Sequence, residues 1–451
     1  MDLRKSFADR EFNRKVLLLT FPIAMQSLML ALVAAADAFM LGRFNQNAMA
    51  AVSLATQVQF VQNIILWAIV SGIGIMGAQY WGKGDIRVIG KIFAIGVRLS
   101  SVTCIVFFAA CLGYPEKLMK LFANDPDLIR IGAEYLEVAA WSYLLTGLSQ
   151  CYLGIMKISE HVSAAAAISS GAVILNIVLN AFFIFGLCGL PPMGVRGAAL
   201  ATVAARVAEL ACCFFISKRK SYVDLSLREL LHFDRVLSGD FLHYMLPVLG
   251  AGLLWGVGFT AYTALMGHLG ADAAAANAIA AVVRDLMCCL CNGFSGAAGI
   301  IIGNELGAGR LERGKAYGNR MLVISLLIGL LCAVMILASI PLLACAVQLT
   351  APARSHLRGM LAILALYMVG RSICTVVING VFSAGGDTFF DIYSLAVCMW
   401  GIALPCAFIG AFWLHLPVLA VYACTCLDEV GKLPWVLVHH FRYKWVKDIT
   451  R

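Results

Sequence analysis

Apolar and polar segments alternate along this chain on a coarse scale. Runs of about 20 or more apolar residues, each long enough to cross a hydrocarbon core as a helix, are separated by short charged stretches. Their approximate bounds are 16–42, 48–78, 91–113, 127–155, 162–188, 194–217, 241–267, 272–304, 315–342, 353–383, 388–413 and 416–439. In lipid only helices or closed barrels satisfy the backbone. These runs lack the alternation over about ten residues that marks barrel strands. The pattern therefore predicts an all-α polytopic membrane protein with about twelve transmembrane helices. Composition agrees, since 61% of the 451 residues are hydrophobic and 13% charged, which is too apolar for a soluble domain.

Basic residues set the expected orientation. With the N-terminus inside, the inner segments collect Arg4, Lys5, Arg10, Arg14, Lys15, Lys83, Arg87, Lys91, Lys157, the run Lys218-Arg219-Lys220, Arg228 and Arg235, and Arg310, Arg313, Lys315 and Arg320. The tail adds Lys432, Arg442, Lys444, Lys447 and Arg451, while the outer loops keep Arg43, Lys117, Lys120, Arg196, Arg354 and Arg358. That asymmetry predicts both termini in the cytoplasm of a multi-pass plasma (inner) membrane protein. It also explains the net charge of +9 without nucleic acid as a partner. Asp9 and Glu11 among the basic residues, and the length of the first run, argue against a cleavable signal peptide. The sixteen cysteines lie mostly inside the runs, where a thiol is an apolar packing residue.

The chain reads as a duplication. Shifted by 225 residues, Pro22 meets Pro247, Gly42 meets Gly267, Gly82 meets Gly307 and Gly84 meets Gly309, and a one-residue gap then aligns Gly154 with Gly380. Six spans per half is an even number, so the repeats run parallel about an axis along the membrane normal, as two rocking bundles of an alternating-access transporter do. The expected division is an N-lobe over 1–217, a cytoplasmic linker over 218–240, and a C-lobe with its tail over 241–451. Two nucleotide-like motifs fail on context. Gly72-x-Gly74-x-x-Gly77 lies inside an apolar helix, and Gly309-x-x-x-x-Gly314-Lys315 has Ala316 where a magnesium ligand would stand and no strand before it. No ATP, cofactor or metal beyond a coupling cation is expected, and transport would have to run on an ion gradient.

One acid stands out. Asp37 sits in the first apolar run, too deep for its short side chain to reach water easily, and an acid held there calls for a positive visitor. Leu19-Thr-Phe-Pro22 with Asp37 and Gly42, Asn176-Ile-Val-Leu-Asn180-Ala-Phe-Phe-Ile-Phe-Gly186 and Gly194-Val-Arg-Gly-Ala-Ala-Leu-Ala-Thr202 carry a family resemblance. So do Gly303-Asn-Glu-Leu-Gly-Ala-Gly309, Ser383-Ala-Gly-Gly-Asp-Thr388, Asp428-Glu429 and Lys444-Trp445-Val-Lys447. Together they resemble the multidrug and toxic compound extrusion (MATE) transporters over essentially the whole chain. The resemblance implies a non-enzymatic antiporter that exchanges Na⁺ or H⁺ for an amphipathic, often cationic solute. It also implies an N-lobe cation site at Asp37, Asn176, Asn180 and Thr202.

The residue types suit that role. Asn176 and Asn180 are one turn apart on a shared helix face. Counted from the outer span ends, Asp37 lies about 8 Å deep, Asn180 about 9 Å, Thr202 about 12 Å and Asn176 about 15 Å. A carboxylate with amide and hydroxyl oxygens is a hard-oxygen set for a small cation. One acid rather than two favours Na⁺ with protons competing. In the C-lobe, Gly252 and Leu395 stand where some relatives carry acids, so no second cation site is carried over, and Asp391 reads as a solvated acid near the cytoplasmic end.

Arg206 with Glu209, and Arg130 with Glu134, read as local structural pairs. Arg284, Asp285 and Arg371 have no such local partner and are expected to line a substrate cavity with Gln26, Met40, Trp255, Tyr262 and Tyr367. Together with Met25, Met29 and Trp400, they offer soft and cation–π surfaces. The alternatives are a flippase for lipid-linked precursors, for which central basic residues are sparse, and an integral membrane lipid-modifying enzyme, for which the eight histidines are too scattered. His439 and His440 read as an interfacial tail.

Overall fold

The computed structural model describes residues 9–186, 191–220, 229–230, 232–346 and 349–450. Among them there are helices and no strand. In chain order they are α1 (Arg10–Phe44), α2 (Gln46–Lys83), α3 (Ile86–Gly113), the short α4 (Pro115–Met119), α5 (Pro126–Ile158), α6 (Val162–Phe185) and α7 (Gly194–Lys220). There follow α8 (Arg235–His268), α9 (Ala271–Gly307), α10 (Leu311–Ala346) and α11 (Ala351–Val376), which continues as a π-helical stretch, Val377–Phe382. Next, α12 (Phe389–Leu395) passes through a second π-helical stretch, Ala396–Ala403, into α13 (Leu404–Phe412), and α14 (Val418–Thr425), α15 (Leu427–Val430) and α16 (Leu433–Phe441) end the chain.

Ten of the described helices are long and apolar enough to cross a membrane. The run expected over 127–155 is the 33-residue α5, with Glu134 and Glu137 among its apolar residues. The run over 416–439 is not one helix. It is broken into α14, α15 and α16, because Asp428, Glu429, Gly431 and Lys432 interrupt its apolar sequence and the charged three turn inward, each under 5% exposed. Within the stretch 218–240, α7 runs on to Lys220 and α8 begins at Arg235. Its residues 221–228 and 231 lie outside the described set. Lys91 Nζ reaches Asp234 Oδ2 at 3.2 Å, and that carboxyl, bound first by the Leu237 amide and then by Lys91, is held below its usual range.

Local chemistry explains the helix ends. Asn45 accepts from the Asn47 amide at 2.8 Å and starts α2, and Asp85 accepts from Val88 at 3.2 Å and starts α3. Gly84 and Gly309, the pair aligned by the repeat, both turn the chain with positive φ, 82° and 74°. Only glycine enters that region freely, so the duplication shows in backbone geometry as well as in sequence.

Packing sorts the chain into two compact units, one of Met25–Met245 and one of Met1–Ala24 with Leu246–Arg451. The dividing points fall within three residues of Pro22 and Pro247, each inside its helix. A proline there removes a backbone hydrogen bond and lets the helix bend. In the first unit Leu41, Val52, Leu136, Tyr143 and Ile184 belong to one core cluster. In the second, Leu361, Met368, Ile336 and Val421 belong to another. There too the end of the chain is seated. Trp445 is fully buried and its Nε1 donates to the His440 carbonyl at 3.1 Å. A Cβ at Gly318 or Gly385 would overlap it. His439 pairs with Asp387 at 2.6 Å and His440 with Asn319 at 2.9 Å, so these histidines are packed residues and not an interfacial tail.

Candidate functional site

Three helices of the first unit converge on Asp37. From α6, Asn180 Nδ2 donates to Asp37 Oδ1 at 2.5 Å and to Asn176 Oδ1 at 3.1 Å. Asn176 Nδ2 in turn donates to Thr202 Oγ1 on α7 at 3.3 Å, and Thr202 Oγ1 donates to the Ala198 carbonyl at 3.0 Å. The four residues expected at a cation site thus form one hydrogen-bonded chain. The spacing of Asn176 and Asn180 explains half of it, since residues four apart share a face. Their meeting with α1 and α7 depends on how the helices pack.

Asn180 is fully buried, and its Oδ1 has no hydrogen-bond partner among the described residues. A buried acceptor left unpaired is costly, so an oxygen stands ready for a cation or a donor. With the Asp37 carboxylate, Asn176 Oδ1 and Thr202 Oγ1, it makes an oxygen-only donor set of one formal negative charge, which fits a small hard cation.

Beside this network lies a cavity of about 330 Å³. Asp37, Asn176 and Thr202 line it, along with Ser53, Thr56, Gln59, Tyr135, Ser169 and Arg206 and an apolar wall that includes Leu30, Val33 and Val173. None of Gln26, Met40, Trp255, Tyr262, Arg284, Asp285, Tyr367 and Arg371 is among its lining residues. Gln26 is buried within α1, and Met40 packs against the core around Leu41.

In the second unit the aromatic residues form a strip. The Trp255 and Phe259 rings lie 5.1 Å apart, those of Phe259 and Tyr262 6.1 Å apart, and the Arg284 guanidinium sits 4.1 Å from the Phe259 ring centre. Trp255 Nε1 and Tyr262 Oη are buried without a partner among the described residues. The expectation that Arg284 and Asp285 lack a local partner is corrected, whereas the partner of Arg371 is distant in sequence. Arg284 bonds its neighbour Asp285 through Nε and Nη2 at 3.0 and 2.9 Å. Arg371 Nη1 pairs with Glu429, which also meets Lys432 Nζ at 3.4 Å. The sequence hid this cluster because Glu429 lies 58 residues from Arg371. Leu395 sits in an apolar core cluster, and Asp391 is half-buried rather than solvated. Both local pairs form, Arg206–Glu209 at 2.6 Å and Arg130–Glu134 at 3.3 Å. Spacing alone did not reveal where the former lies, since Arg206 also lines the cavity.

Known proteins resemble this chain along nearly its whole length. It is 26% identical over 439 residues to "Uncharacterized transporter YisQ" of Bacillus subtilis, covering 94% of this chain and 93% of that one. To "Probable multidrug resistance protein NorM" of Thermotoga maritima it is 24% identical, covering 97% and 94%. Two solved structures superpose with a TM-score of 0.86. One is a MOP superfamily transporter from Pyrococcus furiosus, at 19% identity and 96% coverage of both chains. The other is the MATE transporter VcmN of Vibrio cholerae, at 17% identity and 96% and 97% coverage. At such identities the likeness speaks for the fold. The MatE family model matches twice, over residues 22–182 and 247–409. The two matches begin 225 residues apart, at the prolines that the internal repeat aligns, and together they span most of the sequence. This chain belongs to the MatE family and is a membrane transporter, not an enzyme.

Proposed function

We propose that the protein is a cation-coupled antiporter of the plasma membrane, exporting amphipathic organic compounds by alternating access with both termini in the cytoplasm. The carrying observation is the Asn180–Asp37 bond at the wall of the cavity. It ties a carboxylate and a hydrogen-bonded chain of neutral polar groups to the space where a solute would sit, so that occupancy of one bears on the other. The multidrug-resistance names of relatives such as the Thermotoga maritima protein support a drug-like solute. The coupling ion in this reading is Na⁺, with protons competing for Asp37. A flippase for pyrophosphate-linked lipids would need a cationic groove, whereas this cavity has one arginine in its wall, already bonded to Glu209.

Counterflow in proteoliposomes tests the proposal, with Na⁺ and pH gradients imposed separately and a fluorescent organic cation as solute. Movement of the cation should follow an opposing ion gradient and ignore ATP. Adding Na⁺ to the detergent-solubilised protein should release protons, and Asp37→Asn should abolish that release. Gradient-independent, ATP-stimulated uptake would end this reading.

A further inference from the structure

The last helix ends in a built turn. On α16, Trp435, Val438 and Phe441 are exposed, while Val436 and His440 are fully buried. Spacing by three gathers the exposed trio on one face, and in a membrane transporter an exposed apolar face lies against acyl chains. After Phe441 the chain reverses at Tyr443, whose φ is 52°. A bulky residue rarely occupies that region and stays there only where its surroundings hold it. Here Asn319 Nδ2 donates to Tyr443 Oη at 3.1 Å, the Lys315 ammonium lies 4.2 Å from the Tyr443 ring centre, and buried Trp445 is tied beyond the turn to the His440 carbonyl. The turn is a fixed feature.

Three cations gather at it. Arg442 and Lys444, both exposed, flank Tyr443, and Lys315 sits over its ring. Among the described residues none of the three has an ion-pair partner. Asp387, Glu305 and Asp9 are committed to His439, Arg310 and Arg320, and Asp448 accepts from the amide and hydroxyl of Thr450. The positive charge is left without a carboxylate, and it stands where an apolar, lipid-facing helix face ends. A phospholipid answers both features. Its phosphate suits a guanidinium that binds through two N–H groups and ammoniums that act as point charges, and its acyl chains suit the face of Trp435, Val438 and Phe441. A zwitterionic headgroup would bring an ammonium of its own against the three cations, which an anionic headgroup does not.

We propose that the turn at Tyr443 is a headgroup site for an anionic phospholipid, with Arg442, Lys444 and Lys315 around the phosphate and the exposed face of α16 along the acyl chains. The inference goes beyond the transport reading. It requires only that the chain lies in a bilayer, so neither the coupling ion nor the solute decides it.

Native mass spectrometry of the full chain in detergent tests it, with phosphatidylglycerol and phosphatidylcholine of identical acyl chains titrated separately and the first bound lipid resolved. The native protein should hold phosphatidylglycerol about tenfold more tightly than phosphatidylcholine. A basic residue beside an anionic headgroup contributes about fivefold, so the double variant Arg442→Gln, Lys444→Gln should lose about tenfold or more in phosphatidylglycerol affinity and keep its phosphatidylcholine affinity. The double variant Arg10→Gln, Arg14→Gln removes as much exposed charge from another helix end of the same unit. It should change phosphatidylglycerol affinity by less than about twofold, because charge alone does not make the site. Millimolar inorganic phosphate, which has no acyl chains, should not displace the lipid. Equal native affinity for the two lipids, equal losses in the two double variants, unchanged phosphatidylglycerol binding in Arg442→Gln, Lys444→Gln, or displacement by inorganic phosphate would overturn the proposal.

Discussion

Asn180 Nδ2 and Asp37 Oδ1 lie 2.5 Å apart, joining residues separated by 143 positions. The bond gives Asp37 a structural partner that is neutral, so the aspartate's charge is not needed to hold the helices together. An asparagine at position 37 keeps the shape and an accepting oxygen for the Asn180 amide.

Asp37→Asn should therefore reduce ion-coupled transport to background while stability stays within about 1 kcal/mol of native, the scale of one neutral hydrogen bond. Transport in proteoliposomes and thermal unfolding in detergent read the two effects separately. Native-rate transport by this variant across a range of Na⁺ and pH would remove Asp37 from the coupling site.

Asn180→Ala takes away the donor that orients the carboxylate and the amide oxygen beside it. Cation affinity should fall about tenfold, the magnitude of a hydrogen bond to a charged group. Asn180→Asp sets two acids together, and such a pair shares a proton. Na⁺ stimulation of transport should then require a higher pH than in the native protein. An unchanged pH profile would mean that positions 37 and 180 do not act on the same ion.

In the second unit, the Arg371–Glu429 pair holds α11 to α15, with Glu429 4% exposed and Lys432 beside it. Removing one partner strands a buried charge, which costs about 3–5 kcal/mol. Glu429→Gln and Arg371→Met should each lower the melting temperature sharply. The double variant should recover part of the loss, because Arg371 is no longer stranded, while Lys432 still lacks the Glu429 carboxylate. Additive losses in a double-mutant cycle would show that the two residues do not depend on each other.

Ahead of the first apolar run, Asp9 Oδ2 accepts from Arg320 Nη1 at 2.9 Å, and Asp9 Oδ1 caps α1 by accepting from Phe12 at 3.1 Å. The Arg320 hydrogen bond foremost, and the Phe12 amide after it, hold the Asp9 carboxyl below its usual value. A group with a lowered folded pKa contributes stability above the pKa of the unfolded chain, about 3.9 for aspartate, and loses it as pH falls through the folded value. Asp9→Asn keeps the cap and loses the charge. Its melting temperature should fall below native at neutral pH, and the difference should close as pH drops below about 4. A gap that persists in acid would mean the pair adds nothing through its charge.

Much of this protein was legible in one dimension because lipid imposes strong rules on sequence. A bilayer demands apolar runs of fixed length, so the helical spans and the all-α class followed from hydropathy. Duplication kept Pro22 with Pro247 and Gly84 with Gly309, positions where backbone geometry tolerates few residues. Pairs within a turn, Asn176 with Asn180 and Arg206 with Glu209, followed from helix periodicity. Tertiary structure alone decided what depends on how the helices rotate and pack. It placed Asn180 against Asp37, gave Arg371 a partner far along the chain, turned Asp428, Glu429 and Lys432 inward to break the final run, and seated Trp445 against Gly318 and Gly385. It also placed Arg206 in the wall of the chamber that Asp37 lines. The i,i+3 spacing identified that arginine's carboxylate partner, but the cavity whose wall it joins is lined by four other helices besides its own.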